Sequence, residues 1–195
     1  IQDVGYWQRL LPSTRAYAEA VFAYDPAQVP TTAVINRRDR EMGANLLWLA
    51  QQRYPTRKLI VWAATSHIIH GAARLDTRGE VSAAGRITMG DGVRRALGTA
   101  VYTIGFVASE GTHGLPGQQP IPVTPESGSV EQLLSETTHP AAFLDLRRLP
   151  ASAAWLRRPM PAGFLGYLPF VAPWPEILDG IIYIRMMTPS TAALR

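Results

Sequence analysis

Between residues 58 and 64 the hydrophobic pattern of this chain changes period, and that change limits its fold more than any other feature. Upstream, Arg37 to Arg53 carries Met42, Leu46 and Leu49 at helical spacing, with Asn45 and Trp48 on a neighbouring face; Tyr54-Pro55 ends the repeat. Then Leu59-Ile60-Val61-Trp62-Ala63-Ala64 runs apolar without interruption and with β-branched members. The run is far short of the roughly 20 residues a membrane-spanning helix needs. It reads as a strand buried on both faces, the kind found in parallel sheets covered by helices.

The rest of the chain continues this alternation. Leu10 to Tyr24 has helical spacing and stops at Asp25-Pro26. His67 to Thr88 is a long polar stretch, and long connections of that kind often carry function. Met89 to Leu97 reads as a helix opened by Thr88 and closed by Gly98. Ala100 to Ala108 reads as a second strand, Glu110 to Ser127 as a Pro-rich loop, and Ser129 to Thr137 as a helix with Gln132 completing a capping box. Ala141 to Leu146 and Asp179 to Met187 supply two more strands. Strands alternating with short helices predict an α/β fold, a mainly parallel β-sheet flanked by helices. The organisation expected is an N-terminal helix and connection over 1–36 and an α/β domain over 37–195, a single domain overall.

Composition narrows the function classes. Cysteine is absent, which removes disulfides, a thiolate nucleophile and Cys-ligated metals. The net charge is 19 − 15 = +4, and all but Lys58 of the cations are Arg, scattered and without an aromatic stripe. No nucleic-acid partner and no membrane partner are expected. The sequence names no compartment, and the cytoplasm is the default. Because the chain begins at Ile1, it is expected to be a mature form or a fragment.

Ligands in sheets of this type bind beyond the carboxyl ends of the strands. That singles out Thr65-Ser66-His67, Ser109-Glu110-Gly111, Asp145 to Arg147 and Thr188-Pro189-Ser190. His67 is a candidate general acid or base because its unperturbed pKa lies near neutrality; a hydrogen-bonded structural histidine is the competing reading. His67 and His70 alone are too few for a zinc site, so no metal and no cofactor are expected. Glu110 is a candidate carboxylate base or a cap for loop amides. His113 sits between glycines that let backbone approach a ligand. Arg38 and Asp39 begin the long helix, and Asn45 places an amide on its apolar face that needs a partner. Gly90-Asp91-Gly92 lacks the third glycine of a dinucleotide-binding loop.

An ordered series of these residues resembles the erythromycin esterase-like family. It comprises Arg38-Asp39-x-x-Met42-x-x-Asn45-x-x-Trp48-Leu49, Ile60-Val61-Trp62-Ala63-x-x-x-His67, Met89-Gly90, Leu97-Gly98, Tyr102-x-x-Gly105-Phe106 and Gly111-Thr112. Gly128-Ser129-x-Glu131, Phe143 to Arg147 and Asp179-Gly180 to Thr188-Pro189 follow in order. The resemblance implies an α/β lobe, the C-terminal half of a hydrolase in which activated water attacks a macrolide-like ester without a metal. With the resemblance and the residue reading taken together, His67, Asp39 and Glu110 are the expected catalytic residues, with His67 placing or protonating the reacting oxygen, and Arg38, Asn45, Met89, Thr112 and His113 are the expected substrate contacts. The family pattern carries a further histidine where this chain has Ala64, and in an N-terminal half a Gly-Glu-x-x-His-Gly motif that supplies a Glu and the general-base histidine. The partners implied are a small-molecule ester and either that missing half or a second copy of the chain. Little or no erythromycin hydrolysis is expected of the 195 residues by themselves. The alternative is a catalytically silent α/β module that binds a ligand or partner.

Overall fold

The computed structural model describes residues 4–23, 31–79 and 83–191. Two units form, one from Ile1–Ala73 with Ser82–Val101 and the other from Arg74–Val81 with Tyr102–Arg195. The expected boundary after residue 36 instead falls inside a helix.

The first unit is helical. Helix α1 spans Val4–Phe22, opening earlier than the periodicity suggested, and Tyr24 lies outside the described residues. Helix α2 spans Thr32–Trp48 and passes into a π-helical turn, Leu49–Arg53, so the helical run stops where Tyr54-Pro55 predicted. A single turn, α3, covers Thr65–Ile68. Helix α4 spans Met89–Leu97 with the bounds its caps predict. The Thr88 hydroxyl accepts the Asp91 N–H at 3.0 Å, while the Asp91 carboxylate accepts the Thr88 N–H at 2.9 Å. This reciprocal capping box satisfies amides that would otherwise be orphaned at the helix start. Gly90 lets α4 press against α3. A Cβ there would lie 2.0 Å from the Ile68 carbonyl oxygen and 2.3 Å from that of Ile69.

The expected strand at Lys58–Ala64 is corrected. The segment is extended but joins no sheet, and Ile60 and Trp62 are 96% and 84% exposed. Its sequence favours extended backbone, yet a strand exists only when a neighbour completes its ladder. Among the described residues of this unit there is no other strand.

The second unit holds the sheet. Strand β1 spans Ile104–His113, β2 Ile121–Pro122, and helix α5 Val130–Ser135. Strand β3 spans Ala141–Asp145, β4 Met160–Leu165, β5 Leu168–Ala172 and β6 Gly180–Met187. The order in the main sheet is β2-β1-β6-β3. Only β1 and β6 run parallel, pairing Ile104 with Gly180 through Gly111 with Met187. Both outer pairings, β1 with β2 and β3 with β6, are antiparallel. The architecture is therefore α/β with a mixed sheet rather than a mainly parallel one. Losing the 58–64 segment removes the strand expected to extend the parallel part. Helix α5 packs against β1 and β6.

Two further differences bear on the candidate residues. Strand β1 starts four residues later than expected and runs through Glu110, Thr112 and His113, so these lie on a strand and not in a loop beyond it. The β4–β5 hairpin was not anticipated. Its turn is Gly166-Tyr167, both at positive φ, 70° and 64°. That is the primed geometry favoured in two-residue hairpins, but a Tyr in place of the usual Asn or Gly hides it. Val107, Ala108, Trp174, Leu178, Ile181 and Tyr183 form the core of this unit, each no more than 1% exposed.

Candidate functional site

A connected, buried polar group lies in the helical unit. At about 100° per residue, α2 carries two stripes. Asn36, Asp39 and Gly43 share the buried one. Arg38, Glu41, Met42 and Asn45 line a separate cavity of about 200 Å3 together with Ser13 and Tyr17 of α1. The residues grouped together in the sequence therefore divide between two faces of one helix.

Asp39 is fully buried, and each of its oxygens holds a different partner. Oδ1 lies 2.5 Å from His67 Nδ1, and Oδ2 accepts a hydrogen bond from Arg86 Nη2 at 2.8 Å. The His67 and Arg86 side chains keep 17% and 16% exposure. Burial pushes the Arg86 pKa down, and the Asp39 charge opposes that. Asn36 secures the segment that delivers Arg86. Its Nδ2 donates to the Gly85 carbonyl at 2.7 Å, and its Oδ1 accepts the Ile87 N–H at 2.8 Å. The Thr88 hydroxyl then donates to the Ile69 carbonyl at 2.5 Å, and Gly71 N–H donates to Asp91 Oδ1 at 2.6 Å. Both ends of the stretch that bears His67 are thus pinned to α2 and α4.

A carboxylate that accepts the Nδ1 proton of an imidazole fixes the ring and directs Nε2 outward, the form in which histidine removes a proton from water. This is the base-and-orienter logic of a hydrolytic site.

In the α1–α2 cavity, Asn45 Nδ2 donates to the Ser13 hydroxyl at 2.6 Å. Its buried Oδ1 has no hydrogen-bond partner. The amide flagged in the sequence is therefore half satisfied, by the neighbouring helix. Met89 is buried where α4 meets α2 beside Gly43, which makes it core rather than a substrate-facing side chain.

Compared with known protein families, residues 8–189 match that of erythromycin esterase. The chain belongs to this family. Over 159 residues it is 31% identical to the proposed hydrolase YbfO of Bacillus subtilis, covering 78% of this chain but 35% of the relative. The chain therefore spans about a third of the length of that curated relative. A succinoglycan biosynthesis protein has a similar structure, with a TM-score of 0.67 and 18% identity over 89% of this chain and 49% of that one. A Bacillus cereus protein gives 0.65 and 16% over 84% and 41%. A mutant of the erythromycin esterase EreC in its open conformation gives 0.59 and 16% over 83% and 40%. At such identities the structures establish a shared fold.

The remaining candidates of this esterase-family chain belong to the sheet unit. Glu110 is exposed and accepts a hydrogen bond from Arg185 Nη1 at 3.2 Å. Thr112 pairs with Pro122 across the β1–β2 ladder. The His113 ring stacks on Tyr167 at 4.4 Å between centroids, joining the end of β1 to the hairpin turn. Asp145 and Arg147 enter a satisfied cluster. Tyr102 donates to Asp145 at 2.7 Å, Arg147 Nε donates to Asp179 at 2.7 Å, and the Arg147 guanidinium lies 4.7 Å over the Tyr102 ring. Burial and the Asp145 carboxylate push the Tyr102 pKa up to about 12. Such saturation of partners suits a strut between strand ends. Among the described residues, no group of three or more His, Asp or Glu side chains is arranged to hold a metal, and no helix is long and apolar enough to cross a membrane.

Sequence reasoning missed Arg86 and Asn36. Asn36 had a signal, since Asn36, Asp39 and Gly43 form a polar and small stripe at i, i+3 and i+7. Arg86 had none, being one of 18 arginines in an unpatterned loop.

Proposed function

We propose that this chain carries part of the active site of a carboxylic ester hydrolase acting on a small molecule. In this reading water attacks the substrate ester, and His67 Nε2 places or protonates the reacting oxygen. Asp39 holds the ring through its contact with Nδ1. The reaction as proposed is metal-independent. Family membership supports the hydrolase class, and the 2.5 Å contact between His67 and a fully buried Asp39 carries the assignment. Macrolide-like lactones are the substrate class proposed; Arg38 and Asn45 at the α1–α2 cavity are proposed substrate contacts of the helical unit, and on β1 Glu110 is a proposed catalytic carboxylate, with Thr112 and His113 as proposed substrate contacts.

Ala64 favours a second reading, a silent binding module. It directly precedes α3, where the family pattern has an additional histidine, and an alanine offers no acid or base.

The test compares the chain with His67→Ala, alone and fused to the N-terminal segment of the Bacillus subtilis relative, on erythromycin and a panel of nitrophenyl esters. Product acid is detected by mass spectrometry. The chain alone should stay near background, since losing one acid/base group costs about 10²–10⁴-fold. The fusion should turn over at least one ester and lose that turnover in His67→Ala. Turnover indifferent to His67, or a folded fusion inert on every ester, would favour the silent module.

A further inference from the structure

We propose that Glu131 latches the tip of the β4–β5 hairpin, and that its ionisation releases this tip from the end of β1. Neither step requires the hydrolase reading. The β4–β5 register is irregular between Ala162 and Leu165. Inside that break Gly163 donates its N–H to Glu131 Oε1 at 3.0 Å, since an amide that a broken ladder leaves over must find another acceptor. At the turn, Tyr167 donates its N–H to the Gly163 carbonyl at 3.0 Å. A Cβ on Gly163 would lie 3.2 Å from Glu131 Oε1 and 3.1 Å from Tyr167 Cα, so carboxyl group and turn close on the same glycine. The Tyr167 ring stacks on His113, and its hydroxyl donates to the Met187 sulfur, which ties the turn to the ends of β1 and β6.

A two-stranded hairpin is marginal by itself, but the open end of this one is anchored. Asp76 and Val171 exchange both backbone hydrogen bonds at 2.9 Å, and Phe164 packs on Trp174 at 4.7 Å between ring centroids. Beyond Phe164, Gly166 and Leu168 are exposed, so residues 165–168 can swing while the rest stays in place. An ionised carboxyl group needs donors at both oxygens, and Glu131 Oε2 is buried with no hydrogen-bond partner among the described residues. Burial, reinforced by Glu126, raises the Glu131 pKa from 4.5 to about 7. Between those values the closed tip keeps a proton that the opened, hydrated one releases, so opening increases as pH rises. The other titratable groups on the elements packed against α5 are accounted for. Glu110 pairs with Arg185, Tyr183 with Ser109, and Glu126 with Arg78. Burial raises the Tyr167 pKa, which keeps its hydroxyl protonated throughout this range. His113 is the remaining group at the tip, and the experiment separates it from Glu131.

Hydrogen exchange of the 195-residue chain, followed by mass spectrometry and corrected for the intrinsic pH dependence of exchange, reads the opening directly. From about pH 5 to about pH 8, protection of residues 165–168 should fall by up to about 100-fold in the wild type. In Glu131→Gln it should stay near the wild-type value of about pH 5 throughout. His113→Gln should keep the fall. A wild-type tip indifferent to pH, a fall that persists in Glu131→Gln, or one abolished by His113→Gln overturns the proposal. Should Glu131→Gln fail to fold, the wild type is labelled with ¹³C at its glutamate carboxyl carbons. The carboxyl group that titrates furthest above 4.5 should then share its midpoint with the loss of protection, and separate midpoints overturn the latch. Because no ester is present, either result is distinct from failure of the hydrolase assay.

Discussion

In Glu131→Gln, one oxygen of a buried carboxyl group on α5 becomes an amide nitrogen with little change of shape. Glu131 is 4% exposed, Oε1 accepts the Gly163 N–H at 3.0 Å, and Oε2 has no hydrogen-bond partner. Burial pushes its pKa from 4.5 up to about 7, opposed in part by backbone N–H donors. Between those two pH values the folded state keeps a proton that the unfolded chain has released. Stability contributed by the protonated acid is therefore complete below about pH 4.5, falls as pH rises towards 7, and is gone above it. At about 1.4 kcal/mol per pH unit, the span from 4.5 to about 7 amounts to about 3 kcal/mol. The wild-type sheet unit should lose about that much between pH 4.5 and 8, while Glu131→Gln should show none of this loss. At pH 8 the variant should be the more stable by up to about 3 kcal/mol. Urea unfolding followed by fluorescence checks this, with Trp7, Trp48 and Trp62 replaced by Phe so that Trp155 and the fully buried Trp174 report on the sheet unit. Parallel pH profiles for the two proteins, or a less stable variant at pH 8, would refute the reasoning.

Gly90→Ala places a methyl against two backbone carbonyl oxygens, which cannot yield as a flexible side chain can. It should destabilise the helical unit by about 3 kcal/mol or more and lower its melting temperature in circular dichroism. Thr88→Ala removes the cap of α4 and the donor to the Ile69 carbonyl, and should cost about 1–2 kcal/mol by urea denaturation. Ile60→Glu should leave stability within about 0.5 kcal/mol, because the side chain is 96% exposed. It should also suppress concentration-dependent self-association in light scattering; equal association of both proteins would show that the 58–64 segment is not the sticky surface.

How much of this protein could be read in the sequence depended on how locally each feature is decided. Helix α4 emerged with the correct ends because Thr88, Asp91 and Gly98 act within a few residues of the backbone they cap. Ser129 likewise opens α5, accepting the Gln132 N–H, although Gln132 reaches back to the Gly128 amide rather than to Ser129 itself. Strands β3 and β6 were legible as apolar runs. The run at 58–64 has the same character and is no strand, since pairing is supplied by other parts of the chain. The direction of each sheet neighbour was equally invisible, and so the sheet is mixed where alternation suggested parallel. The site shows the same split. His67 and Asp39 stood out as residue types, but 28 positions separate them and 47 separate Asp39 from Arg86. Only the packing of α2 and α3 against α4, and the loop before α4, turns those three side chains into one hydrogen-bonded unit. Burial does the rest, because a charge removed from water must find its partner inside the protein.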